Sequence, residues 1–112
     1  MRLYLAGPMR GIPYWNHPAF DAGAEKLRAF GHEVFNPAEH DRSQGLQPDP
    51  DGLVPKEADI RKLLLADFTW ICEHAEGIAL LDNWERSAGV KAEIAIAEAI
   101  GIPVDRYMEW CW

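Results

Sequence analysis

Arg2-Leu3-Tyr4-Leu5-Ala6-Gly7-Pro8-Met9-Arg10-Gly11 opens the chain. Five residues rich in strand formers run into a Gly-Pro stop, which reads as a buried first strand feeding a tight turn. Downstream, Phe20, Ala24, Leu27 and Phe30 recur at spacings of three and four, so a helix is expected over about Pro18 to Phe30, stopped by Gly31. His32-Glu33-Val34-Phe35 reads as a second strand, ended by Asn36-Pro37. From Ala38 to Pro55 the sequence is polar, rich in Pro, Gly and Asp, and aperiodic. A long loop of the lid or disordered kind is expected there. A second helix follows from about Pro55 to His74, then a strand at Gly77-Ile78-Ala79-Leu80-Leu81 closed by Asp82-Asn83. A third helix covers about Arg86 to Ile100, and Ile102-Pro103-Val104 forms a last short strand. Strands that alternate with helices imply parallel pairing through right-handed crossovers. The expected fold is therefore α/β: a small doubly wound, Rossmann-like or flavodoxin-like parallel sheet of four to five strands, in order about 2-1-3-4.

Bulk properties narrow the function. The 112 residues suit a single domain spanning 1–112. At 48% hydrophobic and 26% charged, the composition is that of a globular protein and not of a disordered one. A net charge of −7 argues against a nucleic-acid polymer as partner, because a phosphate backbone calls for clustered Lys and Arg. No apolar run approaches the roughly 20 residues of a membrane helix, so no membrane partner is expected. The chain begins directly on a strand, leaving no leader-like segment, and a cytoplasmic location is expected. Cys72 and Cys111 are too few for a disulfide framework or zinc site, and Cys72 is expected to face the core. His17, His32, His40 and His74 share no ligand spacing, and Asp49-Pro50-Asp51-Gly52 lacks the further ligands of a calcium loop. Neither a metal nor a cofactor is expected.

In doubly wound sheets, ligands bind where strands end and the next helices begin. Two loops qualify: Gly7 to Gly11, and Asp82 to Gly89. Gly7 and Gly11 permit close backbone approach, and Arg10 offers a forked cation suited to phosphate or carboxylate. A plain tight turn with an exposed Arg explains the same residues. Ser87 and Gly89 open the third helix, where free N–H groups favour an anion, although Ser87 also suits a simple cap. Two acids break the helical pattern. Lys91 and Glu98 share one polar stripe, whereas Glu93 falls with Gly89, Val90, Ile96, Ala97 and Ile100. Asp67 occupies the stripe Ile60, Leu64, Ile71, where a core residue was due. Counting residues along each helix puts both acids at comparable heights beside the third strand. Each can be a structural acid bonded to backbone. Together they can also be the two carboxylates that glycosidic-bond cleavage requires. Tyr4 reaches the same space or is simply a core aromatic. Five tryptophans are many for this length: Trp15 lies near enough to the first loop to stack on a base, and Trp110 and Trp112 suggest packing against another subunit.

Tyr4-Leu-Ala-Gly7-Pro-Met-Arg10-Gly11, then Asp67, then Ser87-Ala-Gly89-Val-Lys-Ala-Glu93 with Ala97 and Gly101-Ile-Pro-Val, resemble the nucleoside 2-deoxyribosyltransferase family. The resemblance is strongest to its deoxynucleoside 5′-monophosphate N-glycosidase branch and to small phage and bacterial relatives. It runs from residue 2 to about 104, and Ser-x-Gly-x-x-x-Glu is its most specific part. It implies a covalent, retaining mechanism in which Glu93 is the nucleophile, Asp67 the assisting acid and Tyr4 the residue that positions nucleophile and sugar. It also implies that the turn of Gly7, Met9, Arg10 and Gly11, with Ser87 and Gly89, holds a 5′-phosphate. Family sites are completed by a neighbouring subunit, which implies a homodimer or higher homo-oligomer. Pro8 departs from the pattern, since it replaces a small polar residue and removes one N–H donor. The C-terminal residues by which relatives complete a partner's site have no clear match. The expected activity is cleavage or transfer at the N-glycosidic bond of a 2′-deoxynucleoside or its 5′-monophosphate. The alternatives are a non-catalytic nucleotide-binding module on the same scaffold and, behind it, a purely structural partner protein.

Overall fold

The computed structural model describes residues 1–56 and 58–112. Strands β1 (Arg2–Ala6), β2 (Glu33–Phe35), β3 (Gly77–Leu80) and β4 (Val104–Arg106) form one parallel sheet in the order β2-β1-β3-β4. Helices α1 (His17–Ala29), α2 (Pro37–Ser43), α3 (Ile60–His74) and α4 (Ala88–Ile100) cover its faces. This is the doubly wound α/β arrangement expected from the alternation of elements.

Strand periodicity decides which side chains meet which helices. Leu3 and Leu5 point to one face and pack with Phe20, Ala24 and Leu27 of α1 and Ala38 of α2. Tyr4 and Ala6 point to the other and pack with Ile71 of α3 and Val90 and Ala97 of α4. Each large apolar side chain so buried contributes about 1.5–3 kcal/mol relative to exposure. Gly23 lets α1 lie close to the sheet, because a Cβ there would stand 3.0 Å from a Leu81 methyl.

Several expectations need correction. The polar stretch after β2 is not all loop. Asn36 caps α2 by accepting from Ala38 N–H, Pro37 takes the first turn, and Glu39, three residues on, accepts from the Asn36 side-chain amide at 3.5 Å, a pattern that reads as a helix start. The following segment is tied down: Gly11 N–H donates to Gly52 C=O, Tyr14 N–H to Asp49 C=O and the Trp15 indole to Leu53 C=O. Helix α3 begins at Ile60, five residues later than expected, with Asp59 accepting from Lys62 N–H as its cap; residue 57, within the expected helix, lies outside the described residues. Strand β4 pairs from Val104 because Pro103 lacks an N–H and contributes only its carbonyl, to Ile78.

Cys72 is exposed instead of core-facing. It lies one residue past Ile71, the position of α3 that turns fully inward. Phe30, expected on the buried stripe of α1, falls just beyond the helix and is half exposed. Trp110 packs within its own chain, against Gly77 and edge-on to His32, while Trp112 projects outward. Among the described residues no helix is long and apolar enough to cross a membrane.

Candidate active site

At the C-terminal edge of the sheet a pocket of about 430 Å³ opens between the β1 and β3 loops. That is within the range of small-molecule sites. Tyr4, Asp67, Glu93, Gly7, Met9, Arg10, Gly11, Ser87 and Gly89 all line it, so the residues singled out from sequence converge in space.

Three elements bring the inner groups together. Tyr4 is on the β1 face turned toward α3 and α4. Asp67 stands one turn before the buried Ile71 of α3, and Glu93 lies between Val90 and Ala97 on the inward face of α4. The Tyr4 hydroxyl donates a hydrogen bond to Glu93 Oε2. Tyr4 serves both readings offered for it, being a fully buried core aromatic and a partner of the acid. Its ring is fixed by stacking on Phe35, with centroids 5.5 Å apart, and by Trp70 beyond it.

Glu93 is only 5% exposed. Burial drives its carboxyl up to about 8; the Tyr4 hydrogen bond pulls it down, and the neighbouring Asp67 pushes it up again. Asp67 is raised to about 7, first by burial and then by the negative charge of Asp41, against a lowering pull from Tyr4. The Tyr4 phenol itself is held well above its ordinary value, chiefly by burial and then by the two acids, so it remains a donor at neutral pH. Near neutrality the two carboxyls therefore hold a proton between them. The Tyr4 donor lowers the Glu93 carboxyl, yet it still stands above Asp67, so Glu93 holds that proton in the unliganded pocket.

The pocket wall also carries cations. Gly11 adopts a left-handed φ of 80° that turns the chain back after Arg10. Among the described residues, Arg10 and Arg86 form no ion pair and both line the pocket. Ser87 is the N-cap of α4, its Oγ accepting from Val90 N–H at 3.2 Å. The N–H groups of Ala88 and Gly89, the first two residues of that helix, have no intrahelical acceptor and sit at the pocket wall. Pro8 supplies no N–H, and the Gly11 N–H is already engaged by Gly52 C=O. The donors available to an anion at this wall thus include the first N–H groups of α4 and the two guanidiniums.

Two contributors escape the sequence reading. Arg86 ends a short 3-10 turn, Trp84–Arg86, opened by Asn83 in the left-handed conformation; its signal was its place inside the Asp82–Gly89 loop. Asp41 sits on α2, whose capping signature Asn36-Pro37-Ala38-Glu39 was the available clue. Trp15, expected as a stacking surface for a base, is instead almost wholly buried. It walls a smaller adjoining pocket with Asp41 and Asp67. Among the described residues no cluster of three or more His, Cys, Asp or Glu side chains is arranged to hold a metal.

Residues 1–106 match the model of a protein family described as "Domain of unknown function (DUF4406)". No curated protein and no solved structure matches the chain.

Proposed function

We propose that this chain, which belongs to the DUF4406 family, cleaves the N-glycosidic bond of a 2′-deoxynucleoside 5′-monophosphate through a covalent glycosyl-Glu93 intermediate. The observation that carries the reading is the Tyr4–Glu93 hydrogen bond in a pocket also lined by Asp67, Arg10 and Arg86. The residues that form it are the same ones that resemble the nucleoside 2-deoxyribosyltransferases.

In this reading the 5′-phosphate lies against Arg10, Arg86 and the opening turn of α4, which places the sugar over the carboxyls. Glu93 cedes its proton to Asp67, and its carboxylate oxygen attacks C1′. The C1′–N bond breaks, its electron pair leaves with the base, and Asp67 supplies the proton that neutralises it. Water then attacks C1′ and releases the sugar phosphate and the Glu93 carboxylate, its proton passing to Asp67. A second base in place of water gives transfer instead of hydrolysis. The low-dielectric pocket strengthens attraction between the Glu93 charge and the developing positive charge at C1′.

The enzyme acts in the cytoplasm as a homodimer or higher oligomer. Support for self-association comes from α4, which leaves Ala92, Ala95, Ala99 and Ile100 exposed, and from Leu65 of α3, which is 65% exposed.

The test is incubation with a panel of deoxynucleosides and their monophosphates, with the freed base followed by chromatography. Base release that disappears in Glu93→Ala, with the fold intact by circular dichroism, is expected. Unchanged turnover in that variant overturns the assignment. Saturable nucleotide binding by the unaltered protein without product points to a non-catalytic binding module.

A further inference from the structure

The smaller pocket, about 90 Å³, opens beside the main one and shares Met9, Arg10, Pro37, Leu64 and Asp67 with it. Its remaining walls are almost entirely apolar, contributed by Leu46, Val54, Ile60 and Leu63 among others. An apolar slot joined to a sugar site suits the flat faces of a heterocyclic base. Its polar groups at the wall are the Arg10 guanidinium, Asp67 and Asp41.

Among the described residues, Asp41 has only a distant His17 and the nearby charge of Arg42 to offset its partial burial. Its side chain is 13% exposed, yet among the described residues its carboxylate accepts no hydrogen bond. His17 Nε2 stands 3.9 Å from the Asp41 carboxylate, beyond hydrogen-bond reach. His17 Nδ1 pairs with Arg42 Nη1 at 2.9 Å, which makes Nδ1 the acceptor and leaves the ring proton on Nε2. That nitrogen is buried and, among the described residues, without a hydrogen-bond partner. A partly buried carboxylate without a hydrogen bond and a buried, unpartnered ring N–H thus stand near one another at the edge of an apolar slot. Buried polar groups left in this state are costly unless something completes them.

We propose that Asp41 reads the base: its carboxylate accepts a hydrogen bond from an exocyclic amino group and so selects a 6-aminopurine over a 6-oxopurine. The inference rests on the glycosidic-cleavage reading for the placement of the base. Protonation that expels a purine falls on N7, the position assigned to Asp67. The neighbouring position on the same edge is the C6 substituent, and Asp41 is the other carboxyl on that wall. An amino group there donates to Asp41, whereas a carbonyl sets oxygen against carboxylate. Burial raises the Asp41 carboxyl only to about 6, with Arg42 pulling it back, so the group is an anionic acceptor above neutral pH. Selection of this type is effective because the disfavoured ligand leaves a buried charge unpaired.

The experiment compares the unaltered protein with Asp41→Asn in two assays. One is base release from 2′-deoxyadenosine and 2′-deoxyinosine 5′-monophosphates; the other is calorimetric binding of free adenine and hypoxanthine. The unaltered protein is expected to favour the amino ligand by about 10-fold or more in both. In Asp41→Asn, whose amide can also donate, that ratio should fall by about 10-fold or invert. A ratio that is the same in both proteins, or an unaltered protein with no preference, overturns the proposal. Failure to bind either base and to release either also overturns it. Selective adenine binding that depends on Asp41, without base release, leaves the base-reading role standing and removes the cleavage reading.

Discussion

Glu93→Gln should stabilise the protein, and by more the higher the pH. The Glu93 carboxyl stands at about 8 in the folded chain against an ordinary 4.5, mainly because burial disfavours its charge. A group raised on folding contributes stability that is complete below its unfolded value and is lost as pH rises through its folded value. The loss therefore runs between 4.5 and about 8, at about 1.4 kcal/mol per pH unit, to a ceiling of about 5 kcal/mol. Gln keeps the shape and an oxygen for the Tyr4 hydroxyl but has no proton to lose. Relaxation around the charge lowers the ceiling, so a difference of about 2–4 kcal/mol in favour of the variant is expected above pH 8. Near pH 4 the two proteins should be nearly equal. Urea unfolding followed by tryptophan fluorescence across this range supplies the measurement. Parallel stability curves, with no widening gap as pH rises, would refute the claim that folding holds Glu93 against its charge.

Two further outcomes test the division of labour in the pocket. Tyr4→Phe removes the donor that pulls the Glu93 carboxyl down, so base release should fall about 10–100-fold, as for loss of a hydrogen bond to a charged group. The ascending limb of its pH–rate profile should also move to higher pH; a reduced rate with an unmoved limb would count against the Tyr4 role. Arg10→Ala should raise KM about 10-fold or more for a deoxynucleoside 5′-monophosphate and hardly at all for the matching nucleoside. Steady-state kinetics on the pair decides it, and equal effects on both substrates would remove Arg10 from phosphate recognition.

Much of this molecule follows from short-range rules applied to the chain. Strand runs closed by Gly-Pro or Asp-Asn, and helices with three- and four-residue apolar spacing, lead to a parallel α/β sheet and its strand order. The same spacing exposes Glu93 and Asp67 as acids in apolar stripes, because a stripe is a property of the helix and survives without its neighbours. The fold also confines ligands to one edge, which is why the Gly7–Gly11 and Asp82–Gly89 loops were identifiable.

What tertiary structure alone decided concerns pairs of groups distant in sequence. Tyr4 and Glu93 are 89 residues apart, and only the register of β1 against β3 with α4 above them brings hydroxyl to carboxylate. The raised carboxyls have the same origin, since burial depends on every element around the site. Asp41 lay in a stretch with no period to betray it, and its place at the slot follows from the way α2 packs on α1 and the sheet. The fate of Trp15 and Trp110, both turned inward against their own chain, was equally a matter of neighbours. Periodicity fixes which face of an element a residue occupies; packing decides what that face meets.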